Sequence, residues 1–139
     1  MLVPEIALTA QIMERFSAHF GEKVAMLHSS RPTSERYDQW KRVRSGEAKV
    51  IIGTRSAVFA PCDPGLIILD EEQEHSYKSE NSPRYSAKEV AIWRGAKENA
   101  LVLLGSATPS IESMYRAKSG IYRLYTLKER YNGKPLPDV

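Results

Sequence analysis

Two short apolar runs about thirty residues apart constrain this chain most. Leu66-Ile67-Ile68-Leu69 stops on Asp70-Glu71-Glu72, and Leu101-Val102-Leu103-Leu104 stops on Gly105-Ser106-Ala107-Thr108-Pro109. A buried parallel strand reads as a continuous apolar run. Ligands collect where such strands end. Adjacent carboxylates at one strand end suit nucleotide hydrolysis: one can hold Mg²⁺, usually through water, and the other can orient or deprotonate the attacking water. The plain alternative is two core strands followed by ordinary polar loops.

The spans around these runs alternate strand and helix, which predicts an α/β fold with a parallel sheet. Leu2-Val3 reads as a strand stub, followed by a helix near Thr9 to His19 with Ile12, Met13, Phe16 and Phe20 at helical spacing. Val24 to His28 and Val50 to Gly53 are further strands. Between them, Pro32-Thr33-Ser34 opens a helix with Tyr37, Trp40 and Val43 on one apolar face. Ser86-Ala87-Lys88-Glu89 fits a capping box, which places Val90, Ala91 and Trp93 on the next helix. Trp40 and Trp93 are expected in the core. Thr108 as N-cap with Pro109 at the first helical position starts another helix, and Tyr122 to Leu127 could form a last strand. Residues 129–139 are turn-rich and read as a linker after a domain spanning 1–128.

At 139 residues this is one domain at most. The net charge of +3 permits an anionic partner without establishing one. The single cysteine, Cys62, excludes an internal disulfide and any multi-cysteine zinc site, and suits a reducing cytoplasm. No apolar run approaches the ~20 residues of a membrane span, and the amino terminus lacks signal-peptide character.

Four runs resemble consecutive motifs of one family: Leu2 to Thr9, Gly53 to Pro61, Asp70-Glu71-Glu72 and Gly105 to Ser110. They look like those of primosomal protein N′, the PriA replication-restart helicases of superfamily 2. The first two runs are specific to that family, whereas the carboxylate and Ser-Ala-Thr-Pro motifs are shared across the superfamily. The resemblance implies a RecA-like first helicase lobe of a bacterial, cytoplasmic, ATP-dependent DNA helicase that moves 3′ to 5′ and acts in primosome assembly. It implies Mg²⁺ on Asp70 and the hydrolytic water on Glu71. Glu72, Gln73, Ser106 and Thr108 would couple the nucleotide to DNA. Thr54, Arg55 and Ser56 would hold DNA phosphates; Glu5 and Thr9 would lie near DNA, the alternative being simple helix capping by Thr9. The family usually carries His where this chain has Gln73. Gln still hydrogen-bonds but cannot titrate.

The segment Gln73 to Tyr85 interleaves Tyr77, Lys78, Arg84 and Tyr85 with polar residues. Rings stack on bases and cations follow phosphates, so it is expected to be a mobile DNA-sensing loop. The implied partners are single-stranded or forked DNA, other primosome proteins and single-strand-binding protein. ATP and Mg²⁺ are the implied cofactors, with zinc in a second lobe.

No Gly-x-x-x-x-Gly-Lys-[Ser/Thr] run occurs in the chain, and that loop supplies the phosphate cradle. The expectation is therefore an incomplete RecA-like sheet lacking the phosphate-loop strand. It would be an inactive fragment that binds no cofactor tightly and self-associates through an open edge. Alternatives are the lobe of another superfamily 2 translocase, a non-catalytic DNA-binding remnant, and an inert folded remnant.

Overall fold

A computed structural model describes residues 1–4, 10–29 and 31–128. The expectations for Glu5, Thr9 and residues 129–139 lie outside them. The chain divides into two compact units, Met1–Pro109 and Ser110–Val139. The first holds four parallel strands: β1 (Val24–Leu27), β2 (Val50–Gly53), β3 (Leu66–Leu69) and β4 (Leu101–Leu104). β1 pairs with β2, and β3 with β4.

Leu2 joins the two pairs by bridging to Gly53 on one side and Leu69 on the other. Its N–H donates to Ile68 O at 2.7 Å and its carbonyl accepts from Asp70 N–H at 3.0 Å, while Val3 N–H reaches Gly53 O at 3.0 Å. The predicted stub is thus the central rung of an α/β parallel sheet with order β1-β2-stub-β3-β4. Every strand ends on the same side, so Thr54–Ser56, Asp70–Gln73 and Gly105–Thr108 all follow carboxyl ends.

Alternation places Leu2, Ile67, Leu69, Val102 and Leu104 on one face. There Ala57, Val58, Tyr77, Ala87 and Ala91 close the main core. Ala87 and Ala91 come from α3 (Ala87–Glu98), and Ser86 caps it by accepting Glu89 N–H as expected. α2 (Thr33–Arg44) contributes Val43 to a second cluster with Ala25 and Ala48. On the opposite face, α1 (Ala10–Phe20) supplies Met13 and Phe16 against Val3, Val24 and Ile52. Beyond that cluster the same face is bare: Leu66 is 49%, Leu101 68% and Leu103 48% exposed.

Several expectations are corrected. Trp93 is 60% exposed and Tyr37 56%, so each lies outside the core, and only Val43 of the expected α2 face is buried. The alternating i, i+3, i+6 spacing of Tyr37, Trp40 and Val43 drifts around a 3.6-residue helix, which separates Val43 from the aromatic pair. In the second unit, α4 (Ile111–Lys118) is capped by Ser110, whose Oγ accepts Ser113 N–H at 3.3 Å. Its start thus falls two residues past the expected Thr108–Pro109 pair, and residues 122–127 form no strand.

Candidate nucleotide and nucleic-acid site

β3 delivers Asp70 to the sheet's carboxyl edge, where three hydrogen bonds fix it. Its N–H donates to Leu2 O, its carbonyl accepts Tyr77 OH at 2.7 Å, and Oδ1 accepts Glu71 N–H at 3.2 Å. Glu71 then turns through φ +47°. A non-glycine residue in the left-handed region is uncommon, and such backbone clusters where function holds it in place. The turn separates three consecutive acidic side chains into different environments.

Glu71 Oε2 accepts Gln73 Nε2–H at 2.9 Å. On the other side of the same amide, Ser106 Oγ–H donates to Gln73 Oε1. Ser106 Oγ in turn accepts Thr108 N–H at 2.9 Å. Gln73 therefore spans the ends of β3 and β4 by using its amide once as donor and once as acceptor. The backbone reinforces the link: Glu72 N–H donates to Gly105 O at 3.0 Å and Gly105 N–H to Leu69 O at 2.8 Å.

Glu72 differs from its neighbours. Its side chain is 1% exposed and pairs with Lys88 Nζ at 2.9 Å on α3. The carboxylate expected to take part in nucleotide coupling is thus covered by protein and ties the β3 end to α3. Lys88 was not expected in the site. Its position inside the capping box had marked it only as a helix-start residue.

Thr54 is buried, Arg55 half-buried and Ser56 exposed, in the turn that leads from β2 into a 3₁₀ segment, Arg55–Phe59. Arg55 Nη1 donates to Ser76 O at 3.0 Å and to Lys78 O at 2.7 Å. Its guanidinium lies 5.9 Å from the Tyr85 ring, which meets Phe59 edge-on at 5.0 Å. The Thr54–Ser56 loop and the Gln73–Tyr85 segment are thereby one assembly.

Arg94 of α3 holds the far end of that loop. It donates to the carbonyls of Val58 (2.7 Å), Ala60 (3.2 Å) and Cys62 (2.7 Å) while pairing with Glu98. Nothing in its sequence context distinguishes it from other helical arginines.

Tyr77 corrects the expectation of a mobile segment with stacking tyrosines. It is 2% exposed, and its ring sits in the main core. Burial, followed by the nearby charges of Asp70, Glu74 and Glu71, raises its phenol well above the ordinary tyrosine range. A 3₁₀ turn, His75–Tyr77, a bridge from Lys78 to Ser86, and Ser79 N–H on Tyr85 O at 2.8 Å pin the segment at both ends. A large ring with an available carbonyl acceptor outweighs the polar composition around it. Lys78 and Arg84 are exposed, Tyr85 is half-buried, and residues 80–84 form the open stretch. Arg84 Nε donates to Glu80 O at 3.2 Å.

The model of the DEAD/DEAH box helicase family matches residues 1–117. The chain belongs to that helicase family. The chain is 50% identical, over its whole length, to the replication restart protein PriA of Bacillus subtilis, of which it covers 17%. It is 46% identical over its whole length to PriA of Synechocystis, again covering 17% of that protein. It is 45% identical over 99% of its length to PriA of Treponema pallidum, covering 21%. The chain thus spans about a fifth of the length of these relatives.

The residues present fit a magnesium ion in their donor chemistry: hard carboxylate oxygen stands at the end of β3, beside a glycine. A Cβ at position 105 would lie 3.7 Å from Asp70 Oδ1 and fill space next to it. Among the described residues no three metal-ligating side chains converge, so the zinc implied for a second lobe has no counterpart there. No helix among them is long and apolar enough to cross a membrane.

Proposed function

We propose that this chain is the carboxylate-bearing part of the first ATP-binding lobe, residues 1–128, of an ATP-dependent 3′-to-5′ DNA helicase. The helicase acts in primosome assembly and replication restart in the bacterial cytoplasm. The observation that carries the reading is the hydrogen-bonded path Ser106–Gln73–Glu71 across two strand ends.

Asp70 would hold Mg²⁺, and the ion when bound would neutralise phosphate charge. Glu71 orients the attacking water and takes its proton. Gln73 reports the position of Glu71 to Ser106 and Thr108. Arg55, Ser56 and Lys78 contact the phosphates of single-stranded or forked DNA, with Tyr85 and Arg84 beside them, in the sequence-independent way that suits a translocating enzyme. Glu72 and Tyr77 serve by fixing the backbone on either side of this chemistry. Primosome proteins and single-strand-binding protein are the partners of the whole enzyme, whose second lobe carries zinc.

The sequence contains no phosphate-cradling glycine loop, so the chain alone is inactive and binds no nucleotide tightly. Two carboxylates without a cradle repel a polyphosphate. A steady-state ATPase assay on the 139-residue chain with Mg·ATP tests this. No turnover is expected, and turnover above ~1 s⁻¹, within the normal enzyme range, would contradict it. A non-catalytic DNA-binding role for the chain as it stands is the second reading, favoured by the same absent motif.

A further inference from the structure

α2 turns two different faces outward and inward. Inward, Gln39 Oε1 accepts Met26 N–H at 3.3 Å, Val43 is buried, and Arg42 donates to Val24 O at 3.3 Å and to Glu22 O. These contacts fix the helix against β1. Outward, Tyr37, Trp40, Lys41 and Arg44 follow one another at i, i+3, i+4 and i+7, the spacing of a single helical stripe.

Such a stripe on a globular helix ordinarily faces the core. Here Tyr37, Lys41 and Arg44 are exposed and Trp40 is half-buried. The two rings stack with planes 10° apart and centroids 6.4 Å apart. Lys41 Nζ lies 4.1 Å from the Tyr37 ring and the Arg44 guanidinium 5.1 Å from the Trp40 ring. Cations over rings hold those rings in fixed orientations. Residues 31–49 contain six basic and three acidic side chains, an excess equal to the +3 of the entire chain. The chain's net positive charge therefore falls within the segment that carries this exposed aromatic pair, where Lys41 also lies 4.0 Å from Asp38.

We propose that this face of α2 is a binding surface for single-stranded nucleic acid, separate from the Thr54–Ser56 loop and independent of it. The occupant follows from the chemistry. Ordered rings offer stacking to any base, and flanking cations at one-turn spacing follow a phosphate backbone. A base-free polyanion would use the charges and leave the rings unused. None of the four residues touches the carboxylate site, so the surface would add grip on the strand without taking part in hydrolysis.

The test uses the 139-residue chain carrying Trp93→Phe, which leaves Trp40 as the sole tryptophan. Titration with short oligothymidylate should quench Trp40 emission saturably. Tyr37→Ala, with an unchanged far-UV spectrum, should weaken binding about tenfold. Lys41→Ala with Arg44→Ala should reduce the slope of log affinity against log salt by about 1.4, the value for two single-strand phosphate contacts. Arg55→Ala should leave the quenching in place. Unquenched Trp40 beside a rising anisotropy of labelled oligothymidylate that Arg55→Ala abolishes would overturn the proposal while leaving the loop reading intact. Equal quenching by inorganic polyphosphate would overturn it as well, since charge alone would then suffice. So would an absence of any binding at low salt.

Discussion

Ser106 donates a hydrogen bond to the side-chain oxygen of Gln73, whose amide N–H₂ group donates in turn to Glu71 at 2.9 Å. The bridge therefore needs one group that accepts on one side and donates on the other. Glutamine meets that need in a single protonation state. Histidine meets it only when neutral, because the protonated ring has no acceptor.

In a full-length helicase containing this segment, the DNA-stimulated component of ATPase is accordingly expected to be flat with respect to any titration at position 73. Gln73→His should introduce a loss on the acidic side, centred near the ordinary histidine range of about 6.5. Comparing pH profiles of DNA-stimulated and basal hydrolysis checks this. An unchanged profile for Gln73→His would show that the bridge does not couple the two strand ends.

The Glu72–Lys88 pair, with side chains 1% and 17% exposed, makes a thermodynamic prediction. Lys88→Met removes the cation paired with a buried carboxylate and should cost about 3 kcal/mol. Glu72→Gln combined with Lys88→Met removes both charges and should cost less than Lys88→Met alone. Urea unfolding of the two variants measures the difference. A double variant worse than the single would mean that the pair's own attraction dominates.

Tyr77 predicts an alkaline limit. Its folded-state pKa is raised, chiefly by burial, so the folded chain retains a proton that the unfolded chain releases above about 10. Stability from this group is whole below that pH and falls as pH rises beyond it. Tyr77→Phe should flatten part of that decline. It should also cost about 1 kcal/mol near neutrality through the lost bond to Asp70 O. Denaturant unfolding at neutral and alkaline pH tests both. An identical alkaline slope in the variant would contradict the burial account.

β4 lies at the end of the strand order with Leu101 68% and Leu103 48% exposed. A flat apolar edge with unpaired backbone groups is a template for pairing. Light scattering of the isolated chain should show self-association that grows with concentration, and that Leu103→Lys reduces. A stable monomer at high concentration would count against an open edge at β4.

Much of the fold was legible in the sequence because its strands are short, continuous apolar runs bounded by polar residues. β2, β3 and β4 fall on the spans that the runs mark, and the Ser86 cap follows from its box. The failures share one cause: side chains whose burial depends on distant partners. Tyr77 reads as a loop aromatic until the carbonyl of Asp70 is placed beside it. Glu72 reads as a third site carboxylate until Lys88 is brought over it by α3. Trp93 reads as core because it lies on an amphipathic helix, yet it is 60% exposed, while Ala87 and Ala91 of the same helix are the ones that meet the sheet. Arg94 shows no local signal at all, since the three carbonyls it gathers belong to a loop more than thirty residues away.

The most direct test of the central claim is Glu71→Gln in a full-length helicase containing this segment, with ATP hydrolysis and nucleotide affinity measured on the same preparation. The amide cannot accept the proton of the attacking water. The account predicts hydrolysis lost and nucleotide affinity kept within a few-fold. Wild-type turnover in that variant would contradict the assignment of Glu71, and with it the reading of the β3 end as the carboxylate half of an ATP site.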